Sequence, residues 1–103
     1  MNDSLAVVDA NFQMAQSGTG TGYLNIEDTR SLLDFTAGKG RTFHTVEAFL
    51  IHEDGGMQLD LDYSLLGLES EGEMLSEDIT ALYYQKLAAA EALPVEYLFK
   101  IWI

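Results

Sequence analysis

The chain has 103 residues, 48% of them apolar, with 1 proline and no cysteine, and its 17 acidic against 5 basic side chains leave a formal net charge of −12. One folded domain fits that length and apolar share, and the lack of cysteine excludes a disulfide framework, a thiolate nucleophile and a Cys-based zinc site. The charge argues against DNA, RNA or an anionic membrane as a direct partner, because phosphate contacts need Lys and Arg and the field of the whole molecule would repel them.

In chain order, "LAVVDANFQMAQ" (5–16) places Ala6, Val8, Ala10, Phe12 and Met14 on one side at period two, with Asp9, Asn11 and Gln13 on the other, which predicts a half-buried strand. "SGTGTG" (17–22) reads as a glycine loop, and "YLNIE" (23–27) as a short extended piece completing a first hairpin. Residues 28–41 fit either a short helix begun by Asp28 or Thr29 and ended at Gly38, or another strand running into "GKG". "TFHTVEAFLIHE" (42–53), "DGG" (54–56) and "MQLDLDYSLL" (57–66) predict a second hairpin, although Val46, Phe49 and Leu50 also suit a helical turn or two. The returning strand alternates Met57, Leu59, Leu61 and Tyr63, expected in the core, with Gln58, Asp60 and Asp62.

Ser76, followed by Glu77 and Asp78, is a good helix start, with a side-chain oxygen to cap and two acids where the helix dipole favours them. The helix should stop before Pro94. Its bulky residues Ile79, Leu82, Tyr83, Tyr84, Leu87 and Leu93, with a stripe of Ala81, Ala88 and Ala92, predict a helix enclosed by its own sheet or by a neighbouring subunit. "VEYLFKIWI" (95–103) alternates Val95, Tyr97, Phe99, Ile101 and Ile103 with Glu96, Leu98, Lys100 and Trp102, the strongest strand pattern present, and is expected to dock internally or on another copy. The whole is expected to be one α+β domain over residues 1–103: a small antiparallel sheet of two hairpins plus a C-terminal strand, packed on one long helix at about 77–93.

Chemical motifs are sparse. Asp60, Asp62, Ser64 and Glu71 fall at the first, third, fifth and twelfth places of an EF-hand loop, but Leu65 occupies the sixth, which needs glycine, and no helix precedes them. His44 and His52 lack the further converging ligands a metal needs. The glycines of "GTGTG" match no phosphate-binding fingerprint and lead into an extended piece, so they read as a flexible hairpin tip. No nucleophile motif appears, and no enzyme activity, cofactor or metal is expected. The longest apolar run falls short of the roughly 18 residues of a membrane span, and "MNDSLAVVDA" carries acid where a signal peptide carries base, so the expected setting is the cytoplasm, that of a host if the protein is phage-encoded.

What stands out is the acid pattern. From Glu53 to Asp78 there are nine acids and no base. Carboxylates two residues apart on a strand stand about 6.6 Å apart, comparable to the phosphate spacing along one nucleic-acid strand. The expected function is therefore an acidic inhibitor or adaptor that mimics nucleic acid in the basic groove of a protein partner, as phage anti-restriction and anti-CRISPR proteins do as a class. Asp60, Asp62, Glu69, Glu71, Glu73, Glu77 and Asp78 would present the charge, and Trp102, on the half-polar face of the last strand, would anchor the interface. The bland alternative for any one acid is a solvated face. A rival reading rests on Arg30, Lys39 and Arg41, three of the five bases: head-to-tail contacts between copies would make a homo-oligomeric structural protein, such as a phage head or tail component.

Overall fold

The computed structural model describes residues 3–65 and 75–103, so Glu69, Glu71 and Glu73 lie outside the described residues. Its first element overturns the first expected hairpin. Residues Asp3–Ala15 form a helix, α1, not a strand. Val8, Phe12 and Ala15 face inward at spacings of four and three, and the alternation that suggested a strand arose because alanine and valine at 6, 8 and 10 satisfy both periods. α1 packs on α2 (Ile26–Gly38) through Phe12 and Phe35, whose ring centroids are 5.3 Å apart.

α2 resolves the open reading of 28–41 in favour of a helix that begins earlier than Asp28. Asn25 caps it, its side-chain oxygen accepting from the Asp28 amide at 2.8 Å, while Glu27 and Asp28 occupy the first turn. Thr29, Leu32, Leu33 and Thr36 bury one side at helical spacing. The buried threonine hydroxyls donate back to the carbonyls of Asn25 and Leu32, so neither leaves an unmet polar group.

Three strands follow: β1 (Thr45–Ile51), β2 (Met57–Leu59) and β3 (Glu96–Trp102), antiparallel in the order β2-β1-β3. The second expected hairpin forms. Gly55, at φ +88°, turns the chain, and Asp54 accepts the Gly56 amide. β2 is only three residues long, after which Asp60 starts a 3-10 turn over Leu61–Tyr63. The expectation that Met57, Leu59 and Leu61 are core is wrong: they are 43%, 45% and 63% exposed, because among the described residues no layer covers the outer face of β2 and Leu61 has already left the strand for the 3-10 turn.

α3 (Ser76–Glu91) runs close to the expected span. It starts one residue early, with Leu75 at the cap position making no side-chain bond, so Ser76 lies inside the first turn instead of capping it. It is not enclosed. Ile79, Thr80, Tyr83, Leu87 and Ala90 are buried, and Ala81, Ala88 and Ala92 face solvent. The fold is thus a small α+β domain, but among the described residues it has three α-helices in place of one long helix and one of the two expected hairpins.

β3 docks internally. Tyr97, Phe99 and Ile101 are buried beside Val46 and Ala48, and the Val46–Ile101 and Ala48–Phe99 pairs sit directly across the two strands. Its far edge is met by Leu24, which exchanges two amide bonds with Phe99 at 2.8 Å, and by Thr21, whose amide bonds the Ile101 carbonyl and whose hydroxyl accepts the Ile101 amide. The glycine loop is thereby a built part of the sheet's border and not the tip of a hairpin. On the other side of the sheet, beyond β2, Asp60, Ser64 and Leu65 take the remaining polar groups of Ala48 and Val46.

Two phenols are fixed within this core. Tyr83 donates to the Tyr63 carbonyl at 2.9 Å and Tyr97 to Asp60 Oδ2 at 2.6 Å. Burial pushes the Tyr83 phenol up, and burial first, then the bond to Asp60 and nearby carboxylate charge, push Tyr97 up. Tyr84, half-buried and donating to Asp34, is pushed up to about 12 by the same causes. A folded-state pKa above the unfolded value of 10.0 means that the stabilisation is complete below that pH and is lost above it, as the unfolded chain releases protons the folded chain retains. Urea midpoints should therefore fall above about pH 10, with each of Tyr83 and Tyr97 contributing a slope of about 1.4 kcal/mol per pH unit. Tyrosinate absorbance from these residues should appear only together with unfolding.

Candidate functional site: exposed acids beside the last helix

Glu77 and Asp78 are exposed in the first turn of α3. Asp60 and Asp62 lie beside the middle of the same helix, because Lys86 donates to the Asp62 carbonyl at 2.8 Å and Tyr83 to that of Tyr63. About 12 Å of helix axis separates Asp78 from Lys86. Both acidic pairs adjoin α3, but Glu77 points to the side where Ala37 and Arg41 lie, about half a helical turn away from Lys86, whereas Asp60 and Asp62 line a separate hollow with Leu50 and Gln58; the chain from 66 to 74, which carries Glu69, Glu71 and Glu73, connects the two pairs in sequence.

The pairs are not equivalent. Asp60 Oδ1 accepts the Asp62 amide at 3.0 Å and Oδ2 accepts the Tyr97 hydroxyl, so this carboxylate ties the 3-10 turn to β3. Asp62, Glu77 and Asp78 are exposed and hold nothing of that kind. Asp60 is chiefly architectural; the other three are available to a partner.

The disposition of the cations leaves these acids without ion pairs. Arg30 pairs with Glu91 through two bonds of 3.2 Å, the one ion pair among the described residues. Lys39 sits 4.8 Å from the centre of the Phe35 ring and 5.5 Å from that of Phe12, which also takes Arg41 at 5.9 Å. Lys100 lies 5.6 Å from the Tyr23 ring and 5.7 Å from that of Trp102. Lys86 spends a proton on a carbonyl. Four of five cations are thus held by rings or backbone, and the described carboxylates other than Glu91 have no Lys or Arg within ion-pair distance.

Trp102 belongs elsewhere. It is half-buried on the side of the sheet away from the helices, its indole N–H donating to the Gly18 carbonyl at 3.2 Å. The expected site residues therefore fall into two groups on different surfaces. Glu47, near Trp102, and Glu96, at the opposite end of β3 on that outer face, were not among the expected site residues; their signal in the sequence was the period-two alternation along β1 and β3.

The calcium pattern dissolves in three dimensions. Ser64 is buried, donating to the Asp60 carbonyl and accepting the Ala48 amide, and Asp60 is engaged as described. His52 meets Gln58 at 3.0 Å and His44 meets Thr45 at 2.7 Å. No group of three His, Asp or Glu that could hold a metal occurs among the described residues, and no described helix is long and apolar enough to cross a membrane. No protein-family model, curated protein or solved structure matches the chain.

Proposed function

We propose that this protein is a non-enzymatic acidic binding module, an inhibitor or adaptor that offers carboxylates to the basic groove of a nucleic-acid-handling protein. It acts in the cytoplasm by the strategy that phage anti-restriction and anti-CRISPR proteins use as a class. The observation that carries this reading is the diversion of the cations. A surface evolved only for solubility would gain from pairing Lys39, Arg41 and Lys100 with carboxylates, and here they lie on rings, leaving Asp62, Glu77 and Asp78 without an ion pair inside the chain.

The rival reading, a self-assembling structural protein, has less support. β3 is bordered on both sides within the chain, and Arg30, Lys39 and Arg41 already have intramolecular partners.

The test is affinity capture from nuclease-treated host lysate at low and high salt. Wild type should retain nucleic-acid-binding proteins that salt releases, and the variant Asp62→Lys/Glu77→Lys/Asp78→Lys should retain them at least about tenfold less well, since charges at an interface act on association and salt dependence. A second variant reverses Glu69, Glu71 and Glu73. Asp60 is kept, because its loss would disturb the turn. Retention insensitive to salt and to both variants would refute the proposal.

A further inference from the structure

We propose that the helix-free face of the sheet is a docking surface for a protein partner that presents apolar side chains ringed by Lys and Arg. The inference rests on the reading above only for the sign of the partner's charge. An antiparallel sheet with one face on the core ordinarily turns polar residues to the other. This one does not. Strand register places Leu59, Phe49 and Leu98 in one row across β2, β1 and β3, and Met57 and Ile51 in the next. Tyr23 meets Phe49 edge-on at 5.5 Å and extends the row past β3.

No described element covers these rows. Tyr23 is 54% exposed, Met57 43% and Leu59 45%. A contiguous apolar patch of this kind on an otherwise highly charged molecule marks an interaction surface, and Tyr and Trp are the residue types that most often anchor one. The partner meets the face rather than an edge. β3 is bordered by Leu24 and Thr21, β1 is interior, and among the described residues only the three of β2 offer an open edge, too few for a firmly added strand.

Charge decides between occupants. Glu47 and Glu96 stand on the face, Glu53 and Asp54 lie exposed at the hairpin turn, and the face's one cation, Lys100, lies near the rings of Tyr23 and Trp102. A second copy would set these carboxylates against their own kind and join two chains of net charge −12. A partner with Lys and Arg around an apolar centre covers the patch and meets the acids.

The experiment uses fluorescence anisotropy with two labelled peptides of equal charge: an amphipathic helix of leucine and lysine, and oligoarginine. Wild type should bind the amphipathic peptide about tenfold tighter than oligoarginine, with a change in the emission of Trp102, the only tryptophan. The variants Met57→Gln/Leu59→Gln and Phe49→Thr/Leu98→Thr should each erase most of that preference. The first pair is nearly half exposed, so its loss of binding is separable from loss of fold, which circular dichroism checks. A preference unchanged in both variants overturns the inference. Equal binding of the two peptides, abolished by reversing Asp62, Glu77 and Asp78, would leave the acidic-module reading standing and this one refuted; binding of neither would count against both. Light scattering that finds a wild-type dimer dispersed by Phe49→Thr/Leu98→Thr would assign the face to a second copy and overturn the proposal.

Discussion

Replacing Phe99 with alanine should lower the free energy of unfolding by about 3–5 kcal/mol, read from urea midpoints. Phe99 is fully buried at the centre of β3, across from Ala48 and beside Tyr97, whose ring centroid is 6.3 Å away. Its small cross-strand neighbour makes the loss severe. Ala48 has no length with which to fill the void, and Leu24, bound to the same residue through the backbone, holds the border of the sheet in place so that it cannot collapse inward. Against a total stability of about 5–15 kcal/mol for a domain of this kind, that is a large fraction. The neighbouring Leu98→Ala, one residue away but on the open face, should cost about 1 kcal/mol or less, because a half-buried side chain gives up little that water had not already reached. Equal costs at the two positions would contradict the assignment of faces.

Gly20→Ala should cost about 2–4 kcal/mol and shift the fluorescence of Trp102. Two penalties combine. Gly20 holds φ +70°, where a side chain is strained, and an added Cβ would lie 2.6 to 2.9 Å from Cε2, Nε1 and Cδ2 of the Trp102 indole. The ring would have to swing away, surrendering its bond to the Gly18 carbonyl and its contact with Lys100. The same movement disturbs Thr21, the next residue, which borders Ile101. Gly18→Ala and Gly22→Ala are the controls. Neither has a positive φ nor any atom within 4 Å of the added methyl, so both should stay within about 0.5 kcal/mol of wild type. A harmless Gly20→Ala would mean that the indole does not lie over the loop.

These two results probe what pattern reading could and could not reach. The faces of β3 were legible because seven consecutive residues alternate without exception and every inward one is large and apolar. The turn at "DGG" was legible because positive φ and an aspartate that hydrogen-bonds two residues ahead leave few other local solutions. The helix ending short of Pro94 was legible for a similarly local reason. Residues 3–15 were not. Alanine and valine are compatible with either period, and the choice fell to Phe12 and Ala15 finding Phe35 and the far end of β3, contacts remote in sequence. Asn25 escaped notice as a cap because it sits inside a run that also reads as extended.

The candidate site divides along the same line. Composition and order alone determined that the protein is acidic, that the acids concentrate between Glu53 and Asp78, and that Trp102 shares a strand face with Lys100, since these depend only on which residues are present and on a period of two. Tertiary structure decided what the charges are worth. It joined Asp60 to Tyr97, placed Lys39, Arg41 and Lys100 against aromatic rings, and left Phe49, Leu59 and Leu98 in a row without a covering layer. Electrostatic and hydrophobic energies are set by distance and by exclusion of water, and both arise from packing between segments far apart in the chain.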